Sequence, residues 1–108
     1  MFTYNVTFVV SSEREFEMLN YIRKVFIPKV IDETYKTNKP ELKKVLEVEG
    51  EKNSSEHGVS LALSVTFPKE ERAIMWRDEK LTPALEDLSQ KFGEQAFSFV
   101  TLLENLPL

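Results

Sequence analysis

The 108-residue sequence predicts an α+β sandwich, a four-stranded antiparallel sheet backed by two helices. Two consecutive stretches each read strand, helix, strand, and together they account for almost the whole chain: residues 4–10, 12–31 and 42–48, then 59–67, 69–92 and 97–103. The strand segments alternate with a period of two, whereas the segments between them repeat apolar residues at three- and four-residue steps. No low-complexity stretch interrupts the plan, and a chain of this length is one domain, residues 1–108.

In the first strand Phe2, Tyr4, Val6, Phe8 and Val10 share one face, and Thr3, Asn5, Thr7 and Val9 share the other. Ser12 followed by Glu15 predicts a capping box for the first helix. Phe16, Leu19, Ile22 and Phe26 form its apolar stripe, and Pro28 predicts a kink or an end, because proline lacks the donor a helix interior needs. Residues 34–40 are a polar connector. The second strand, 42–48, mixes Lys43, Lys44 and Glu47 with apolar residues, which suits a sheet edge. Residues 49–58 hold two Gly, Asn53 and two Ser and predict a long exposed loop. The third strand alternates without error: Val59, Leu61, Leu63, Val65 and Phe67 against Ser60, Ala62, Ser64 and Thr66. The second helix carries Leu81, Leu85, Leu88 and Phe92, is expected to split after Lys80 because of Pro83, and has Gly93 placed as a left-handed C-cap. In the fourth strand Phe97, Phe99 and Leu103 point one way while Val100 and Leu102 point the other, so both faces look buried. Two interleaved βαβ units place the strands in the order 4-1-3-2 of a ferredoxin-like sandwich.

Composition narrows the function classes. A fold of this size removes roughly 65% of the unfolded surface from water, enough for a core without metal or disulfide support. The 42% hydrophobic content and eight Phe fit a packed globule. With no cysteine, disulfides, thiolate chemistry and zinc–cysteine sites are excluded. The beginning of the sequence lacks a basic segment followed by an apolar run, and no stretch approaches about 18 apolar residues, so a soluble cytoplasmic protein without membrane association is expected. A net charge of −4 argues against a nucleic-acid partner, since phosphate contacts supply most of such affinity. The one basic excess, Lys36, Lys39, Lys43 and Lys44, reads either as an anion site or as lysines that keep an exposed strand from pairing edge to edge; the second reading is preferred.

Residues able to carry chemistry are few. His57 is the only histidine and falls in the polar loop, which leaves a nucleophilic triad without a base and excludes a histidine-rich metal site. The acidic pairs Glu70–Glu71, Asp78–Glu79 and Glu86–Asp87 diverge by about 100° on a helix and face solvent. The three Gly, at 50, 58 and 93, form no phosphate loop. Asn5, on a central strand, is expected to point to the face without helices, where a buried amide must find partners. Trp76 lies at the margin of the second helix's leucine stripe. A central-strand Asn with a helix-two Trp resembles part of the constellation in cofactor-independent and haem-degrading monooxygenases of the dimeric α/β-barrel class. That resemblance implies ligand-binding roles for Asn5 and Trp76 in a small-molecule enzyme. The haem-degrading members add a histidine iron ligand further along from the Trp, and this chain has none beyond His57, so no cofactor and no metal is expected. On the plainer reading, Asn5 hydrogen-bonds at a dimer seam and Trp76 packs the helix.

End to end, Tyr4-Asn5-Val6-Thr7, Ile27-Pro28-Lys29-Val30, Phe92, Phe97 and Thr101-Leu102-Leu103-Glu104 resemble an uncharacterised family of small bacterial proteins, common in Bacteroidota and known only as a domain of unknown function. The resemblance implies this fold and a cytoplasmic location but no activity. The chain departs from the family pattern twice: Phe26 stands where His usually precedes Ile-Pro, and Val100 where Arg usually precedes Thr-Leu-Leu-Glu. The expected function is a homodimeric interaction or regulatory module. Its seam is expected on the open sheet face, at Ser64, Thr66, Val100 and Leu102, because that row lacks the charge of an isolated wet surface. The alternative is the small-molecule enzyme with its ligand near Asn5 and Trp76.

Overall fold

The computed structural model describes residues 1–35, 40–46 and 58–108. Four strands, β1 (Phe2–Val10), β2 (Glu41–Lys44), β3 (Val59–Phe67) and β4 (Ala96–Glu104), form one antiparallel sheet in the order β2-β3-β1-β4. This is the expected 4-1-3-2 order read from the other edge. Helix α1 (15–30) follows a single 3-10 turn at Ser12–Arg14, and helix α2 (70–92) joins β3 to β4. The lysine-bearing β2 is an edge strand, as its composition predicts, but it is short and ends at Lys44. The expected loop lies almost entirely outside the described residues, together with His57, Lys36 and Lys39.

Both helices carry a proline, and neither ends there. A proline inside a helix offers no N–H to the carbonyl four residues back, and its ring collides with that carbonyl. In α1 the turn Ile22–Phe26 widens so that the Ile27 N–H reaches the Ile22 carbonyl, one residue before Pro28. In α2 the turn Arg77–Leu81 does the same, the Thr82 N–H reaching the Arg77 carbonyl one residue before Pro83. The wider turn makes room for the ring, so α1 runs on to Val30 and α2 to Phe92. Gly93 closes α2 with φ 59° and ψ −138°, a positive-φ conformation open to glycine but not the left-handed helical cap expected.

Helix α1 differs from expectation at its start. Neither its first turn nor the preceding 3-10 turn is capped by a side chain, and the Glu15 carboxylate instead takes the Lys44 ammonium at 2.9 Å, tying α1 to β2. Phe16 is 80% exposed. Two successive three-residue steps, 16 to 19 to 22, each fall about 60° short of a full turn, so Phe16 sits about 120° from Ile22. The buried stripe is Met18, Ile22, Phe26 and Val30.

The core lies between the helices and one sheet face. Tyr4, Val6, Phe8 and Val10 of β1 and Leu61, Leu63, Val65 and Phe67 of β3 are buried against those α1 residues and against Ala73, Trp76, Leu81, Ala84, Leu88 and Phe92 of α2. Aromatic edges lock it: Phe8 meets Phe26 at 5.1 Å and Tyr4 meets Phe67 at 6.5 Å, both nearly perpendicular. With principal extents of 37 × 37 × 18 Å, the molecule is two layers thick, and no helix covers the second sheet face among the described residues.

Pairing of β4 with β1 corrects the side of the sheet expected for Val100 and Leu102. Val6 lies opposite Val100 and Tyr4 opposite Leu102, so Val100 and Leu102 share the helix face with the core residues they neighbour. Leu102 packs half-buried on the core and Val100 is 40% exposed at the free edge. The residues of β4 that share the open face with Ser64 and Thr66 are Phe97, Phe99, Thr101 and Leu103. The expectation assumed that strand four presents its aromatic positions to the core. The small Ala96 and Ser98 stand there instead, opposite Val10 and Phe8.

Candidate functional site

The open face is a grid fixed by strand register. Thr101, Asn5, Ser64 and Glu41 form one row across the sheet, and Phe99, Thr7, Ala62 and Lys43 the next. Phe97, Val9 and Ser60 flank them on one side, and Leu103, Thr3 and Thr66 on the other. Only β2 brings charge to this grid, in Glu41 and Lys43, which pair with each other at 3.3 Å.

Polar groups at the centre satisfy one another. The Asn5 amide nitrogen donates to the Thr7 hydroxyl at 3.1 Å, and its carbonyl accepts from the Ser64 hydroxyl at 3.4 Å. The Thr3 and Thr66 hydroxyls are bonded at 3.1 Å, and Thr3 also donates to the Asn105 side-chain carbonyl at 3.2 Å. Among the described residues no buried side-chain polar atom lacks a partner. Such a ladder lowers the cost of removing these groups from water, since their hydrogen bonds are already made within the chain. Beside it, Phe97 and Phe99 are more than half exposed and stack edge to face at 5.2 Å, and Leu103 is 48% exposed.

Asn5 and Trp76 are not brought together. Asn5 is half-buried on the open face, whereas Trp76 is fully buried on the opposite side of the sheet, its ring 5.1 Å from Phe67 and 5.8 Å from Tyr4. The Trp76 indole donates to the Val30 carbonyl at 2.6 Å, satisfying an acceptor at the end of α1. One pocket between sheet and helices cannot be lined by both side chains. Three surface concavities of about 240, 270 and 230 Å³ lie at the end of the sheet by Gly58 and Gln95, between Tyr21 and Lys91, and between Lys29 and Asp87; none is lined by Asn5 or Trp76. Phe26 and Val100 both lie on the helix side, Phe26 fully buried.

Several of the remaining polar candidates are engaged. Lys44 pairs with Glu15, Asp87 accepts from Lys29 at 3.0 Å, and Asp78 from Arg77 at 2.9 Å. The Tyr35 hydroxyl donates to the Glu79 carboxylate; with burial and that negative neighbour, the bond pushes the phenol up to about 12. Among the described residues no cluster of three or more His, Asp or Glu is placed to hold a metal, and no helix is long and apolar enough to cross a membrane.

Sequence reading missed Phe97, Phe99 and Leu103 as open-face residues. The available signal was Ala96 and Ser98, whose small size on the alternate positions marks the side that lies over an already filled core. No curated protein matches the chain. Residues 1–106 match the family described as Domain of unknown function (DUF4286), and the chain belongs to that family.

Proposed function

We propose that the chain is a homodimeric interaction module that self-associates through its open sheet face. The supporting observation is a face uncharged over three strands, with two exposed phenylalanines and a leucine beside a self-satisfied polar ladder. Exposed apolar clusters of this kind mark contact surfaces, and a central region poor in charge is what interface cores share. Size agrees. Three nine-residue strands at about 4.8 Å spacing and about 3.3 Å rise project onto roughly 430 Å², and side-chain relief raises the accessible area toward the about 800 Å² per partner of a standard interface. The cysteine-free composition suits a reducing cytoplasm, and a module of this kind acts by presenting its helix face and loops from a two-fold assembly. Light scattering at micromolar concentration tests the proposal: a dimeric mass is expected, and a monomeric mass overturns it.

A further inference from the structure

The open face is lopsided. Its β4 edge carries Phe97, Phe99 and Leu103, while β3, two strands away, carries Ser60, Ala62, Ser64 and Thr66. Facing copies must match bulk to hollow, because a dry seam tolerates neither voids nor overpacking. We propose that two copies pack face to face with the two-fold axis lying along β1, so that β4 of each covers β3 of the other. This inference rests on the self-association proposed above and assigns its register.

The choice of axis follows from size and charge. An axis running across the strands would lay β4 on β4 and β3 on β3, crowding the phenylalanines at one side and leaving small residues facing small ones at the other. An axis along the strands but centred between β1 and β3 would set Phe99 against Lys43 of β2 and bury that charge. With the axis on β1, β2 overhangs in solvent with its ion pair Lys43–Glu41 left wet while all three uncharged strands are covered, whereas an axis nearer β4 would leave β3 uncovered as well. The register then fixes the contacts. Phe99, Thr7 and Ala62 share one row, so Phe99 of one copy meets Ala62 of the other while Thr7 meets its own counterpart at the axis. By the same rule Leu103 meets Thr66, and Thr101 meets Ser64. Aligned sheets cross at about −30°, so these pairings hold best in the central rows.

A swap experiment reads this register. Phe99→Ala and Ala62→Phe should each weaken the dimer about tenfold or more, one by leaving a hollow and the other by a clash. The double variant should return to within about threefold of the unmodified protein. A second arm does not depend on Ala62→Phe folding. The chain has no cysteine, so one introduced thiol is unique. Sheets about 10 Å apart are beyond disulfide reach, which ends near 7 Å, so a short bis-maleimide is the probe. Thr7→Cys should cross-link to a covalent dimer, and Phe99→Cys should not. A dimer whose double variant is weaker than either single, or in which Phe99→Cys cross-links and Thr7→Cys does not, overturns the register and leaves self-association standing. A monomeric unmodified protein overturns both.

Discussion

On the helix side of the sheet, the alternating residues of β1 and β3 from Tyr4 to Val10 and from Leu61 to Phe67 are at most 3% exposed, and every aromatic ring there has a neighbour from a helix or strand of the same chain. On the other side, one residue along the same backbones, the chain supplies hydroxyls, an amide and an exposed pair of phenylalanines. The two faces share strands, register and twist, and differ only in which alternate residues they receive. One face is completed within the chain, so substitutions there should register as lost stability. The other is uncovered among the described residues, and on the self-association proposed above substitutions there should register as lost association.

Leu63→Ala is the strongest way to break the helix face. Leu63 is fully buried at the middle of β3, and truncation should cost about 2–5 kcal/mol through lost burial and a residual cavity. Denaturant melts measure it. Its sequence neighbour Ala62, on the open face, supplies the contrast: Ala62→Ser should stay within about 0.5 kcal/mol. Trp76→Phe keeps an aromatic ring but strands the Val30 carbonyl, which the indole now satisfies, and should cost about 1–3 kcal/mol in the same melts. Phe99→Glu sharpens the comparison from the other side. Stability of the separated chain should change by less than about 0.5 kcal/mol, while light scattering should show the dimeric mass halved, because a charge would enter a seam that has no partner for it.

The smallest effect is a pH dependence. The Tyr35 phenol is raised from its ordinary value near 10 to about 12, first by its bond to Glu79. The folded chain therefore holds the proton more tightly than the unfolded one. The stability that follows is fully present below pH 10 and is lost as pH rises from 10 through 12. Ultraviolet titration should show a late tyrosinate step near pH 12 that disappears in Tyr35→Phe, and the melting temperature of that variant should be less sensitive to pH over the same interval.

The sheet, its order and its core face were legible because β1 and β3 alternate without interruption, and a period of two leaves one assignment of sides when one side is wholly apolar. Strand β4 was harder. Both of its alternations are apolar, so its orientation is decided by non-local pairing with β1, and the sequence expectation placed Val100 and Leu102 on the wrong side. The second helix's stripe, Leu81, Leu85, Leu88 and Phe92, packs on the core as expected, whereas in the first helix Phe16 continues a three-residue spacing that leads away from the core. Asn5 was expected on the open face and lies there with partners Thr7 and Ser64. That Trp76 stands across the sheet from it is a fact of the third dimension, invisible in their separate patterns.

The widened turns before Pro28 and Pro83 have a consequence for how this chain can vary in length. Each amounts to one surplus residue lodged in an otherwise regular helix, at the same offset from a proline in both halves. Deleting any one residue from Ile22–Phe26 would restore ordinary helical spacing upstream of the proline. The widened turn absorbs that residue, so Met18 would keep its phase relative to Val30, but the proline ring would be driven back against a carbonyl. The helix on either side of the turn would keep its face toward the sheet, and the cost of such a deletion would fall on the proline. A single-residue deletion within 22–26 or 77–81 should therefore be tolerated better when the neighbouring Pro28 or Pro83 is replaced by Ala in the same chain, which paired melts of the two variants would show.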